Sequence, residues 1–184
     1  MAENKDKDIV MKCRHMEKVY PGTKALDDVD FNIYRGKVNV LIGENGAGKS
    51  TLMKQIAGIE QPSSGKMYLD GEEVSFKNTT EARAKGVGII HQELSLFPNL
   101  NVYQNIFMNN EQKKGVVVNN EIHKQKTKEV LERLEYPIDP EAKVGDLRVG
   151  QQQMIEIARA ISYSNTKVIL MDEPTAALTN AECN

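Results

Sequence analysis

Residues 43–51 have the types and the spacing of a loop that binds phosphate groups. Glycines here allow backbone N–H groups to turn inward around an anion. Lys49 would reach terminal phosphates and the Ser50 hydroxyl would contact Mg²⁺. The alternative is a glycine-rich turn that binds no ligand. The candidate phosphate-binding residues are Gly43, Glu44, Asn45, Gly46, Ala47, Gly48, Lys49, Ser50 and Thr51.

Two adjacent carboxylates near the C-terminus could supply the rest of a hydrolytic site. Asp172 and Glu173 follow the apolar run 168–171. Asp172 would organise Mg²⁺, and Glu173 would act as the general base or position the attacking water. Taken alone, such a pair is more often simply solvated. Together with the phosphate loop, it predicts hydrolysis of a nucleoside triphosphate.

The elements that must position these residues indicate an α/β fold. Residues 29–33 and 67–69 alternate apolar and polar side chains, which predicts half-exposed antiparallel strands with a hairpin turn at Asp70-Gly71. Continuous apolar runs predict buried strands of a mostly parallel core sheet. These runs cover 38–42, 87–90 and 168–171, and helical periodicity covers 50–59, 120–135 and 151–163.

Composition limits the classes of function. The chain has 184 residues, 24 basic and 26 acidic side chains, and a net charge of −2. This balance argues against nucleic acid as the main partner. No apolar stretch reaches the ~18 residues of a membrane-spanning helix, so we expect a water-soluble, cytoplasmic chain. The two cysteines predict neither a disulfide framework nor a zinc site.

Five motifs in order along the chain resemble the ATP-binding subunits of ABC transporters, most closely those of bacterial ribose and galactoside importers. They are Lys18-Val-Tyr-Pro-Gly-Thr-Lys-Ala-Leu26, the phosphate loop, Ile90-His-Gln-Glu-Leu-Ser-Leu-Phe-Pro98, Leu147-Arg-Val-Gly-Gln-Gln-Gln-Met-Ile-Glu-Ile-Ala-Arg-Ala160 and Asp172-Glu-Pro-Thr-Ala-Ala-Leu-Thr179. The resemblance implies a P-loop NTPase of the ABC ATPase type. Residues 1–94 and 164–184 would form the catalytic core with an antiparallel β layer, and 95–163 a helical subdomain.

The resemblance also implies roles for further residues. Tyr20 would stack on adenine, the alternative being an ordinary loop anchor. Gln92 would contact the metal and the γ-phosphate, its alternative being an ordinary loop side chain. The segment 94–107 is either core or a groove for a helix of a membrane subunit. The signature facing ATP on a partner domain would comprise Arg148, Val149, Gly150 and Gln151, and the loop between two nucleotide domains would span 176–179.

Two features depart from the family pattern. Arg148 stands where a serine is usual, so the contact with the partner's γ-phosphate is either strengthened by the guanidinium or blocked by its length. Only twelve residues follow Asp172, and no histidine follows His123. The resemblance therefore implies a domain truncated shortly after the strand 168–171 and its acidic pair. It also implies a vacant slot between the strands 38–42 and 168–171, where a later strand with a switch histidine would lie.

The sequence thus predicts an ATPase that uses ATP and Mg²⁺ to energise carbohydrate import. Its partners would be a second nucleotide-binding domain, membrane permease subunits and, indirectly, a sugar-binding protein, at the cytoplasmic face of the membrane. One alternative is that these 184 residues alone form an ATP-binding module with little or no turnover. Another is a soluble ABC ATPase of DNA repair or translation. The transported sugar is not encoded in this chain.

Overall fold

The computed structural model describes residues 8–90, 94–108, 113–114, 117–163 and 165–172. The chain divides into two compact units, Met1–Gly88 and Ile89–Asn184. Each has its own secondary structure and its own buried side chains.

The first unit is built on a four-stranded antiparallel sheet in the order β2-β1-β3-β4. Its strands are β1 (Ile9–Tyr20), β2 (Thr23–Tyr34), β3 (Ser64–Leu69) and β4 (Glu72–Val74). Asp70 and Gly71 join β3 to β4 with φ values of 52° and 86°, the pair of left-handed residues that a tight hairpin requires. The predicted antiparallel layer and its turn are confirmed. Strand β1, which pairs with both β2 and β3, has no counterpart in the sequence prediction.

Two helices complete the first unit. Helix α1 (Lys49–Ile56) begins directly after the phosphate loop, as predicted, and α2 (Thr79–Ala84) precedes the last strand of the unit. Helix α1 ends earlier than residue 59 because Gly58 adopts φ 71° and its N–H bonds to the carbonyl of Gln55. Leu52 and Ile56 of this helix are buried together with side chains of the sheet.

The prediction of a buried strand at residues 38–42 is wrong. Within the described residues no strand pairs with this run. Its apolar side chains are exposed, with fractions of 92% for Val38, 68% for Val40 and 88% for Ile42. The amide of Asn39 accepts from the N–H of Tyr34 at 3.0 Å and donates to its carbonyl at 3.1 Å. This side chain therefore satisfies the end of β2 where a neighbouring strand would otherwise do so.

The second unit is mainly helical. It contains α3 (Val102–Phe107), α4 (Asn120–Arg133), a short 3₁₀ turn (Val144–Asp146) and α5 (Val149–Ile161). Helices α4 and α5 confirm the two predicted helices to within two residues at each end. Strand β5 (Val87–Ile90), at the boundary between the units, pairs with β8 (Val168–Met171), and β6 (Lys113–Lys114) pairs with β7 (Val117–Val118).

The core of the second unit joins its three helices. Its buried members are Val102, Ile106, Phe107, Leu131, Ile138, Val144, Ile155 and Ala158. Of the apolar segment 94–107, the part in α3 belongs to the core, whereas Leu96 is only partly buried against it and Phe97 is 49% exposed. None of the helices in the described part of the chain combines the length and apolar character needed to cross a bilayer.

Candidate functional site

The phosphate loop closes around the ammonium group of Lys49. Nζ of Lys49 donates to the carbonyl oxygen of Gly43 at 2.7 Å and to that of Glu44 at 2.8 Å. A turn bond from the N–H of Ala47 to the carbonyl of Glu44 closes the middle of the loop. The N–H of Leu52 in α1 also donates to the carbonyl of Gly48 at the end of the loop. The cation and the first turn of a helix thus lie on one short segment, and both favour an anion.

The three glycines of the loop differ in what a side chain at each position would contact. Gly48 has φ +84° and a Cβ there would lie 2.5 Å from the carbonyl oxygen of Ala25 and 2.6 Å from Cδ2 of Leu26. Any other residue at this position would be strained. Gly46 has φ +86° but open space around it. A Cβ at Gly43 would lie 3.2 Å from Cβ of Ala47 and would narrow the concave side of the loop. The loop residues therefore fit a phosphate chain.

Tyr20 belongs to a group of polar side chains beside α1. Its hydroxyl donates to Glu60, and this hydrogen bond raises the pKa of Tyr20. Nζ of Lys18 lies 5.2 Å from the centre of the Tyr20 ring and 3.6 Å from the Glu60 carboxylate. The sequence analysis selected Tyr20 but missed Glu60 and Lys18. The alternation of Lys18 and Tyr20 on one face of β1 was the available signal for Lys18.

Asp172 lies directly after β8. Its N–H donates to the carbonyl oxygen of Ile90 at 3.3 Å, so the carboxyl ends of β5 and β8 are adjacent. Gln92, Glu173 and the segment 176–179 lie outside the described residues. Within the described residues no group of three or more histidine, cysteine, aspartate or glutamate side chains forms a ready metal site.

Arg148 occupies the position just before α5. Its N–H donates to Oε1 of Gln151 at 3.0 Å, half of the reciprocal bonding that often begins a helix. In the other half, the side chain of Arg148 would accept from the N–H of Gln151, but a guanidinium group has only donors. Val149 is 46% exposed, whereas Gly150 is buried. Arg148 and Val149 are thus exposed at the start of α5, whereas Gly150 is buried in its first turn.

Two buried polar side chains hold the segment 95–101 against the helices of the second unit. Glu156 of α5, 9% exposed, accepts from the N–H of Ser95 at 2.8 Å and from its hydroxyl at 2.9 Å. Asn105 of α3, fully buried, accepts from the N–H of Phe97 at 2.8 Å and donates to its carbonyl at 3.1 Å. The sequence analysis missed both residues. For Glu156, the sequence signal was an acidic residue among the buried apolar positions of α5.

Known proteins match nearly the whole chain. It is 49% identical over 178 residues to a putative ribose/galactose/methyl galactoside import ATP-binding protein of Geobacillus kaustophilus, covering 95% of this chain and 35% of that protein. A ribose import ATP-binding protein of Rhodopirellula baltica is 45% identical over 177 residues, covering 95% and 34%. The chain therefore spans about a third of the length of these curated relatives.

Solved structures agree with the sequence comparison. The ADP conformation of MJ1267, an ATP-binding cassette of an ABC transporter, matches with a TM-score of 0.81 and 28% identity, over 95% of this chain and 72% of that one. The family model for ABC transporters matches residues 26–176, which contain the phosphate loop, the signature turn and Asp172. The P-loop fold, the ordered motifs and these matches show that the chain belongs to the ABC transporter family of ATP-binding cassettes.

Proposed function

We propose that this chain is the nucleotide-binding part of a subunit that hydrolyses ATP to energise carbohydrate import through an ABC transporter. The observation that supports it most directly is the loop 43–51, where Lys49 and the start of α1 converge on one concave segment. The names of the similar proteins, which are import ATP-binding proteins for ribose or galactosides, supply the substrate class.

Within this proposal the loop residues hold the phosphates of ATP. The ammonium group of Lys49 exchanges its bonds with two loop carbonyls for bonds with the β- and γ-phosphates. Ser50, Asp172 and Gln92 would provide oxygen ligands suited to Mg²⁺, which would neutralise phosphate charge. Glu173 would orient the attacking water.

The proposed partners follow from the same assignment. The first turn of α5, residues 148–151, would face ATP on a second nucleotide-binding domain. A solved cassette with a TM-score of 0.75 and 27% identity, MJ0796 bound to ADP and Pi, is a dimer. Membrane permease subunits would contact the subdomain 95–163, where Phe97 is exposed, from the cytoplasmic face of the membrane. A sugar-binding protein would act on the permease. Recovery of a permease by affinity purification would support sugar import over a DNA-repair or translation ATPase.

Nucleotide binding by the chain tests the proposal. We expect Mg-ATP to bind, and Lys49→Ala to weaken binding about 10- to 100-fold, since charge-assisted hydrogen bonds are lost. Lys85→Ala is the matched control, because Lys85 is an exposed lysine at the end of α2 in the same unit. Calorimetric titration measures all three chains. Equal affinity of the Lys49 and Lys85 variants would place the phosphates elsewhere.

One observation favours a binding module over an active ATPase for these 184 residues taken alone. The run 38–42, which leads into the phosphate loop, is exposed and joins no sheet within the described residues. The loop is then anchored mainly from its α1 side. We expect tight Mg-ATP binding with little release of phosphate. Sustained release that Glu173→Gln abolishes would instead assign turnover to this chain.

A further inference from the structure

A network of charged side chains surrounds the phenol of Tyr20. The hydroxyl donates to Oε2 of Glu60, and the same carboxylate lies 3.6 Å from Nζ of Lys18 and 3.9 Å from Nζ of Lys54. Glu60 and Lys18 are largely buried, with side-chain exposures of 24% and 16%. The hydroxyl of Tyr20 is therefore fixed by a carboxylate that two cations hold in place.

Lys18 also fixes the ring itself. Its ammonium group lies 5.2 Å from the ring centre of Tyr20, within the range of a cation–π contact, and it donates to the carbonyl of Gln61 at 2.8 Å. Lys18 and Tyr20 are two residues apart near the end of β1. One face of the ring thus carries a cation, and a base that stacks on Tyr20 would use the opposite face.

The same network ties Tyr20 to the helix of the phosphate loop. The N–H groups of Ile59 and Glu60 bond to the carbonyl of Lys54, in the last turn of α1, at 2.9 and 3.2 Å. The last turn of α1 is therefore linked through Glu60 to the Tyr20 hydroxyl, and the same helix begins at residues 43–51.

We propose that Glu60 is a positioning residue for the base of the bound nucleotide, acting through Tyr20. This inference rests on the proposed function. Stacking on an aromatic ring strengthens nucleotide binding when the ring is already held in place, because ordering the ring during binding costs conformational entropy. Glu60, supported by Lys18 and Lys54, holds the ring before the nucleotide binds. The competing interpretation is that Glu60 merely ties the loop after α1 to β1.

A comparison of two ligands separates these interpretations. Inorganic tripolyphosphate carries the phosphates of ATP without its base, so binding of both ligands to the 184-residue chain is measured by calorimetry with Mg²⁺ present. We expect Glu60→Ala and Tyr20→Phe each to weaken ATP binding about 3- to 10-fold, as for one lost hydrogen bond, and to leave tripolyphosphate within about twofold. The double variant should be no weaker than either single one, because both act on one contact.

Two further variants control the experiment. Glu60→Gln keeps an oxygen acceptor for the hydroxyl and should recover most of the ATP affinity. Glu73→Ala removes another paired glutamate of the same unit, whose carboxylate lies 2.9 Å from Nζ of Lys66 in β3, and should change neither ligand. Tyr20→Phe keeps the ring and serves as the test if Glu60→Ala does not fold.

Each outcome decides one point. An unchanged ratio of the ATP and tripolyphosphate affinities in Glu60→Ala and Tyr20→Phe refutes the role of Glu60. The proposed phosphate site still stands if the wild-type chain binds both ligands. A wild-type chain that binds ATP no better than tripolyphosphate refutes it too, because no base contact then exists. A wild-type chain that binds neither ligand refutes the proposed function itself.

Discussion

The two left-handed glycines of the phosphate loop should respond very differently to alanine. Gly48→Ala places a Cβ at 2.5 Å from the carbonyl oxygen of Ala25, whereas Gly46→Ala meets no atom within 4 Å. Both changes incur about 1–2 kcal/mol for a left-handed residue with a side chain. Only Gly48→Ala adds overpacking, which costs about 1–3 kcal/mol. The stiffening of the unfolded chain is the same in both and cancels in the difference.

Urea unfolding followed by circular dichroism measures this difference. We expect Gly48→Ala to lower the free energy of unfolding by about 1–3 kcal/mol more than Gly46→Ala. Because the obstructing atoms belong to the backbone and to Leu26, which is buried, they have little room to shift. Equal losses in the two variants would show that the close approach of Gly48 to β2 does not exist in solution.

Three more predictions concern stability. Glu156→Ala should destabilise the chain by about 1.5–3 kcal/mol in urea unfolding, because the Ser95 N–H loses a charged acceptor, whereas Glu156→Gln should lose much less. Arg148→Ser should stabilise it by about 1 kcal/mol by completing the cap of α5, and an unchanged unfolding midpoint would contradict this. The hydrogen bond with Asp28 raises the pKa of His15 above 6.5. The contact between these side chains therefore stabilises the fold fully below pH 6.5, and this stabilisation is lost as the pH rises through the raised pKa. The pH dependence of the thermal unfolding midpoint across this window should disappear in Asp28→Asn.

Local chemistry made much of the molecule predictable. The phosphate loop, the start of α1 and the hairpin at Asp70-Gly71 each depend on a few consecutive residues with special backbone freedom or a periodic pattern. The helices of the second unit followed from apolar periodicity, because α4 and α5 bury one face against the common core. Such features are encoded within a short window of sequence.

Pairing over long distances was not predictable in the same way. The run 38–42 has the composition of a buried strand, yet a strand is buried only if other strands pair with both its edges. Here the side chain of Asn39 closes the end of β2, and Val38, Val40 and Ile42 face solvent. An apolar pattern indicates what a segment would bury but not whether the neighbours exist to bury it.

The polar side chains that position other residues were also not predictable from the sequence, because their partners lie far away along the chain. Tyr20 and Glu60 are separated by forty residues, and Ser95 and Glu156 by sixty-one. A motif identifies the residue that would contact the ligand, since its type and its neighbours are local. The residue that orients this ligand-binding side chain is determined by which distant segment lies beside it in the folded chain. For that reason Glu60 and Glu156 emerge from the structure alone, and variants at these two positions test the fold and the site together.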